Sequence, residues 1–190
     1  MSDAEKWIRS APRRDCVNQA PSPTPAIPIR TCAVILHDGR MCLIRRERPD
    51  GDQHSLPGGL VHAGEEVPDA LARELKEELG LDLAELTSSP ELRWVQDQIT
   101  TRPGGDAPFR RLHLIHVLHL PPDARHAVAD AEQDAEDHAP IVWTELNRAA
   151  RLHLYPAVGK AIGTLTSARG QTAPAPVLLP PITDRTYRWR

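Results

Sequence analysis

The chain has 190 residues, a formal net charge of -3 and 40% hydrophobic residues, which fits one folded domain with terminal extensions. The near-neutral charge and an aromatic content of 4% argue against a nucleic-acid-binding protein, which usually has a basic face and stacks bases on aromatic rings. No apolar segment reaches about 18 residues, and the N-terminal residues lack the apolar core of a secretory signal. We therefore expect a cytoplasmic protein with neither a membrane nor a nucleic-acid partner.

The ends of the chain differ in composition from its middle. Residues 1–28 carry five prolines in a polar segment, which predicts an extended arm. The patterned part of the sequence predicts a domain over residues 29–168, and a second proline-containing segment predicts a tail over residues 169–190.

Within this domain, strand-like and helix-like segments alternate. Apolar runs predict strands, in chain order, at residues 31–37, 41–47, 91–100, 109–120 and 141–143. A helix is predicted over residues 68–79, because Pro68 can begin it and Gly80 can end it. Thr144 is expected to cap a second helix, which Pro156 interrupts. This order of elements favours an α/β (α+β) domain built of packed layers.

Two of the three cysteines lie on the first two predicted strands. The turn at Asp38-Gly39 joins these strands as a two-residue hairpin. In that register Cys32 and Cys42 face opposite sides of the ribbon, which is poor geometry for a disulfide. We expect these thiols, and that of Cys16, to be reduced and structural.

The predicted central helix carries a group of carboxylates. Leucines at every fourth position form an apolar stripe, and Glu74, Glu77 and Glu78 lie beside it within an arc of about 100°. Adjacent carboxylates repel one another, and in the last turn the helix dipole also disfavours negative charge. A bound cation relieves this repulsion, and oxygen ligands without a thiol or imidazole favour Mg²⁺ or Mn²⁺.

A glycine-containing loop precedes this helix. Gly58 and Gly59 have no side chain, so their backbone can approach a ligand closely. Arg73 lies on the outer side of Glu77 on the helical wheel. Backbone groups, carboxylates and one guanidinium together suit a metal-bridged diphosphate, whose charge requires cations and positioned donors.

The segment from residue 59 to residue 81 resembles the Nudix box. Its defining positions hold Gly59, Glu65 and the run Arg73-Glu74-Leu75-Lys76-Glu77-Glu78-Leu79-Gly80-Leu81. A weaker likeness, which includes the hairpin and Trp143-Thr144-Glu145-Leu146, extends over roughly residues 30–165. The resemblance implies a Nudix-type α/β/α sandwich with a mixed central sheet. It also implies hydrolysis of nucleoside diphosphates linked to another moiety, with Mg²⁺ or Mn²⁺ as cofactor.

The resemblance also implies roles for individual residues. The implied metal ligands are the Gly58 carbonyl and three carboxylates, those of Glu74, Glu77 and Glu78. Arg73 corresponds to the family arginine that orients a catalytic glutamate, and Glu65 to the residue that braces the loop against the helix. His62 stands where many relatives have a glutamate, which leaves the number of metal ions open.

The expected mechanism is attack of a metal-activated water on one phosphorus of a diphosphate. Glu77 or Glu78 is the first choice as general base. Glu136 or Asp137, from an acidic loop after the predicted strand at 109–120, is the second choice.

The predicted substrate is a small nucleotide. Its expected binding groups are Arg46, Arg48, Gly58 and Gly59. Candidate substrates are a nucleoside triphosphate, an ADP-ribose-like dinucleotide or a nucleotide sugar, and the fold alone does not choose among them. The resemblance is compatible with a homodimer.

Other functions stay open. A P-loop enzyme is excluded because no G-x-x-x-x-G-K-[ST] motif occurs. A regulator that binds a nucleotide without cleaving it, or an interaction module that uses the proline-rich arms, is an alternative. The complete carboxylate set with Arg73 favours the enzyme, because a sensor does not need it. His113, His116 and His119 are expected to be ordinary strand residues, since a spacing of three alternates faces.

Overall fold

A computed structural model describes residues 26–136, 138–165 and 176–190. Within these residues one mixed sheet contains the strands β1 Ile29–His37, β2 Arg40–Arg46, β3 Gln53–Ser55, β4 Glu91–Thr100, β5 Phe109–His119, β6 Ile141–Glu145, β7 Leu154–Tyr155, β8 Val177–Leu178 and β9 Ile182–Thr183. The α-helices are α1 Val67–Leu79, α2 Leu146–Ala149 and α3 Gly159–Leu165. Short 3₁₀ turns lie at Leu83–Glu85 and Pro122–Ala127. None of the described helices has the length and apolar character that a membrane crossing requires.

Strand β1 is at the centre of the sheet. It pairs antiparallel with β2 and parallel with β5. Beyond β5 lies β4, whose outer edge is covered by β8 and β9 in parallel pairing. On the other side, β2 pairs with both β3 and β6, and β7 adds to β3. This mixed sheet confirms the predicted fold class.

Helices cover both faces of the sheet. Side chains alternate along β1, so neighbouring residues contribute to different apolar clusters. Ile35 packs in one cluster with Leu75 of α1, and Val34 packs in the other with Ile162 of α3. The result is the predicted arrangement of helix, sheet and helix layers.

The first hairpin and its cysteines agree with the sequence prediction. Leu36 pairs with Met41 across the Asp38-Gly39 turn. Cys32 and Cys42 belong to different apolar clusters, and both are free and buried. Burial raises the pKa of Cys32 to about 11 and that of Cys42 to about 12, so neither thiol ionises near neutral pH. Cys16 lies outside the described residues.

Helix α1 begins one residue earlier than predicted and ends where predicted. Gly80 has a left-handed backbone with φ of 70°. The Gly80 N–H donates to Lys76 O at 3.0 Å, and the Leu81 N–H donates to Leu75 O at 3.2 Å. The bond from Gly80 to Lys76 is that of an αL cap, and the two bonds together satisfy carbonyls at the end of the helix.

The second helix does not begin as predicted. Thr144 pairs with Met41 of β2 and therefore belongs to strand β6 rather than capping a helix. Helix α2 starts at Leu146, and Glu145 precedes it without a side-chain cap. Strand pairing along β2 overrides the capping preference of threonine, because an extended residue in the ladder satisfies its backbone there.

Several short strands were not predicted from the sequence. The segment at residues 48–64, for which no strand was predicted, contains β3, which pairs with β2. The described part of the predicted tail contributes β8 and β9 to the sheet. Most of the predicted arm at residues 1–28 lies outside the described residues.

Candidate active site

The loop before α1 lies along β1. Ala33 N–H donates to Pro57 O at 3.0 Å, and Thr31 N–H donates to Gly59 O at 2.9 Å. Gly58 has a φ of 130°, and a Cβ there would lie 2.3 Å from Thr31 O. Only glycine fits this position, because another residue would meet both backbone strain and a steric clash. The loop is thereby fixed between the sheet and the helix.

Gly59 leaves room for the Glu74 carboxylate. A Cβ at this position would lie 2.1 Å from Cδ of Glu74. The Glu74 residue is buried, with only 8% of its surface exposed. In the structure the loop therefore packs directly over Glu74 at Gly59. The close approach of Gly59 to a ligand stays a prediction.

Arg73 joins the loop to the helix. Its Nε donates to Glu65 at 2.8 Å, and its Nη1 donates to Glu74 at 2.8 Å and to Glu77 at 3.1 Å. Its Nη2 also donates to the Leu60 carbonyl at 3.1 Å. The Arg73 guanidinium, helped by the His62 N–H, lowers the pKa of Glu65 to about 2. Arg73 thus holds three carboxylates at once, which fits the orienting role that the resemblance implied.

Glu78 has the most perturbed environment of the helix carboxylates. It is 7% exposed, and its Oε2 accepts the Gly58 N–H at 2.6 Å. Burial raises the pKa of Glu78 to about 8, although Arg30 and the Gly58 N–H act in the opposite direction. Glu132 and Asp134 add to the increase. A buried carboxylate near other carboxylates holds a proton or a cation at neutral pH.

Two carboxylate clusters meet at Asp134. In the first, ligand oxygens of Glu74, Glu77 and Asp134 lie within 4.8 Å of one another. In the second, the same limit joins Glu78, Glu132 and Asp134. All donors are hard oxygens, so the set suits Mg²⁺ or Mn²⁺ rather than zinc. These clusters can hold the cation that the sequence predicted.

Asp134 and Glu132 were not singled out from the sequence. The acidic loop that carries them is tied to α1 by two backbone bonds, from Ala129 N–H to Leu79 O at 2.9 Å and from Gln133 N–H to Glu78 O at 3.0 Å. No local pattern marks which acids of such a loop face the helix. Acids recur at every second position from 130 to 136, so this spacing does not distinguish 132 and 134 from their neighbours.

The acids that the sequence favoured in this loop lie elsewhere. Glu136 is exposed and is not a member of either carboxylate cluster of the described residues. Asp137 lies outside the described residues. Their assignment as general base stays a prediction.

The Gly58 carbonyl accepts a hydrogen bond from Arg30, whose Nη2 also donates to Leu56 O at 3.0 Å. A carbonyl oxygen has two lone pairs, so this bond leaves one for a cation. Arg30 is 6% exposed and was not predicted as a site residue. It places a buried positive charge next to Glu78.

A cavity of about 520 Å³ opens beside Glu78. Arg46 and Arg48, the predicted substrate-binding arginines, both line it together with Arg30. Arg46 also pairs with Glu132. Phosphate groups bind well where guanidinium groups converge, so the cavity places anion-binding groups next to the carboxylate clusters.

Aromatic rings form another part of this cavity wall. Tyr155 and Trp189 line it, with ring centroids 4.5 Å apart at an interplanar angle of 68°. The sequence did not indicate either ring. Trp94, by contrast, is buried in an apolar cluster.

The histidines of β5 do not converge. His113 is buried, whereas His119 is exposed. Burial lowers the pKa of His113 to about 2, so this ring is neutral. His116 contacts Thr31 Oγ1 at 3.4 Å.

Comparison with known proteins agrees with this geometry. A family model described as the NUDIX domain matches residues 27–162. A protein of Mycobacterium tuberculosis named putative 8-oxo-dGTP diphosphatase 2 is 34% identical over 127 residues, which cover 66% of this chain and 71% of that protein. The nucleoside triphosphatase NudI of Escherichia coli is 32% identical over 91 residues, which cover 46% of this chain and 62% of that protein.

A solved structure shares the fold. The E. coli dihydroneopterin triphosphate pyrophosphohydrolase superposes with a TM-score of 0.56 at 23% identity, over 74% of this chain and 96% of that one. The loop and helix at residues 59–81, their carboxylates and the family match lead to one conclusion: this chain belongs to the Nudix hydrolase family.

Proposed function

We propose that this protein is a divalent-cation-dependent pyrophosphohydrolase that cleaves a nucleoside diphosphate linked to another moiety, with nucleoside triphosphates as the preferred class. One observation carries the proposal: two carboxylate clusters share Asp134 next to a cavity lined by arginines. The relatives named as a diphosphatase and a nucleoside triphosphatase support the preferred class. The cytoplasmic location and the homodimer stay predictions.

One group of residues binds the substrate, and another holds the cation and positions the carboxylates. Arg30, Arg46 and Arg48 bind the phosphates in the cavity, where Tyr155 and Trp189 provide apolar surface for the rest of the substrate. A cation held by the two clusters would supply positive charge at the phosphates and a water of lowered pKa. Arg73 keeps Glu74 and Glu77 in fixed positions, so little reorganisation is needed during the reaction.

Glu77 is the candidate general base. Its side chain is 48% exposed, whereas Glu74 and Glu78 are buried. An exposed carboxylate can take a proton from the attacking water and pass it to solvent. The Arg73 Nη1 fixes the Glu77 carboxylate at 3.1 Å and orients it toward this task.

A substrate panel tests the proposal directly. Phosphate and nucleotide release would be measured with nucleoside triphosphates, ADP-ribose-like dinucleotides and nucleotide sugars, each with Mg²⁺, with Mn²⁺ and with a chelator. We expect Glu77→Gln to lower kcat at least about a hundredfold with little loss of folding, because it removes charge rather than packing. Glu85→Gln is the matched control, since Glu85 is exposed and lies outside both clusters.

Two outcomes would contradict the proposal. Turnover of Glu77→Gln at the wild-type rate would refute the assignment of the base. Nucleotide binding without any release across the panel would indicate a regulator rather than an enzyme.

A further inference from the structure

A second cavity lies on the other face of the sheet. Side chains alternate along β2 and β3, so Arg46 and Gln53 line the active-site cavity. Arg45 and His54, which are paired across the same two strands, instead line a cavity of about 590 Å³. The rest of the wall comes from β6, from α2 and the segment that follows it, and from Asp52 and Arg190. The two cavities are thus separated by a two-stranded ribbon.

The second cavity has a strong excess of positive charge. Its charged lining residues are Asp52 and four arginines, Arg45, Arg148, Arg151 and Arg190. Within the described part of the chain, none of these four guanidinium groups has an ion pair or a side-chain hydrogen bond, in contrast to Arg46, Arg73 and Arg110. Uncompensated like charges around one cavity repel, and an anion bound among them removes that repulsion.

Buried polar atoms without partners point to the same ligand. His54 is 8% exposed, yet its Nδ1 is inaccessible to solvent and has no hydrogen-bond partner. Arg45 Nε and His153 Nε2 are in the same condition. A buried polar group left unsatisfied costs about 1–3 kcal/mol. Arg45 Nε is a donor and a neutral imidazole has one donor nitrogen, so a hydrogen-bond acceptor seated between these residues can satisfy such groups.

The histidines of this cavity are not the source of its charge. Burial, with Arg148 and Arg45 contributing, holds the pKa of His54 below its ordinary value, against the opposing effect of Asp52. Burial and Arg190 do the same to the pKa of His153. The rings are therefore neutral hydrogen-bonding groups, and the arginines supply the charge.

We propose that this cavity is a second ligand site, which binds a multivalent phosphate-type anion, either free or as the phosphate end of a nucleotide. Four guanidinium groups around one cavity match a di- or trivalent anion better than a single carboxylate. Guanidinium groups donate paired hydrogen bonds to phosphate oxygens, and neutral imidazoles add single donors. The site is separate from the carboxylate clusters, so it does not depend on the proposed hydrolysis. Arg190 borders both cavities, whereas Arg148 and Arg151 line only the second.

The test observes the two buried imidazoles directly. The full chain, labelled with ¹⁵N, would be titrated with inorganic phosphate and, separately, with a non-hydrolysable nucleoside triphosphate at constant ionic strength. Each titration would be run with Mg²⁺ and again with a chelator, which separates binding at the carboxylate clusters from binding at this cavity. We expect saturable shifts of the His54 and His153 ring nitrogens that persist in the chelator.

Two variants distinguish binding at this cavity from non-specific attraction of anions to the protein surface. Arg148 and Arg151 are both exposed, so the double variant Arg148→Gln/Arg151→Gln is expected to fold. We expect it to raise the half-saturating anion concentration at least about tenfold. Arg185→Gln is the matched control, because it removes an exposed arginine away from the cavity and should bind as the wild type does.

The two titrations also identify the source of the anion. Shifts with inorganic phosphate support a free anion as ligand, and shifts with the nucleotide alone support a nucleotide. The proposal is overturned if neither probe gives a saturable shift at His54 and His153, or if the double variant responds as the wild type does.

Discussion

Replacing Gly59 by alanine tests how the loop positions Glu74. The new Cβ would lie 2.1 Å from Cδ of Glu74, whereas two carbons in contact prefer about 3.5–4.0 Å. The carboxylate must therefore move by more than about 1 Å. It would leave the position in which it lies beside Glu77 and Asp134.

We expect Gly59→Ala to lower kcat rather than the free energy of unfolding. A displacement of about 1 Å in a catalytic constellation can lower the rate about a hundredfold, and we expect kcat to fall by that factor. Stability should change little, because the group that moves is the end of a flexible side chain. Steady-state kinetics with saturating Mg²⁺, together with urea denaturation, would measure both quantities.

Gly163→Ala is the matched control for this substitution. Gly163 lies in α3, and a Cβ there would have no neighbour within 4 Å. This variant should keep full activity and gain roughly 0.5–1 kcal/mol of stability, as alanine does in a helix. The reasoning is refuted if Gly59→Ala keeps wild-type kcat, or if both variants lose activity equally.

Three further predictions concern charge, orientation and packing. The pKa of Glu78 is raised from 4.5 to about 8, so between these pH values the native state holds a proton that the unfolded state has lost. The free energy of unfolding of the metal-free protein, measured by urea titration, should therefore fall by up to about 1.4 kcal/mol per pH unit between roughly pH 4.5 and 8. Glu78→Gln should lack this fall. Arg73→Lys should lower kcat at least about tenfold in steady-state assays, because one ammonium cannot reproduce the forked contacts; an unchanged kcat would argue against the orienting role. Leu75→Ala, at a fully buried position, should cost about 2–5 kcal/mol in denaturant unfolding, whereas Leu178→Ala, at a position that is 71% exposed, should cost far less; equal costs would contradict the packing described here.

The central helix could be predicted because its signals are local. Pro68 at the start, Gly80 at the end and an apolar stripe of leucines are all readable within a few turns. The different exposure of the three glutamates could not be predicted in the same way. Glu74 and Glu78 are buried while Glu77 is exposed, because the preceding loop crosses one side of the helix and leaves the other open.

The rest of the site depends on distant parts of the chain. Glu132 and Asp134 reach the helix through backbone bonds from a loop far along the sequence, and Trp189 reaches the cavity from the C-terminal segment. Strands of two or three residues, such as β7 and β8, are too short to show a period. The composition of the sequence therefore predicts that the loop is acidic, but it does not predict which of its acids face the helix.

The pairing of β8 and β9 with β4 has a practical consequence for expressing this protein in shortened form. A fragment that ended at α3 would leave the ten residues of β4 as an open sheet edge, with backbone donors and acceptors ready to pair with another molecule. The same cut would remove Trp189 from the wall of the active-site cavity. Self-association and weak turnover of such a fragment would then result from the loss of β8, β9 and Trp189. A fragment designed on the family match alone, which ends at residue 162, would lack all three.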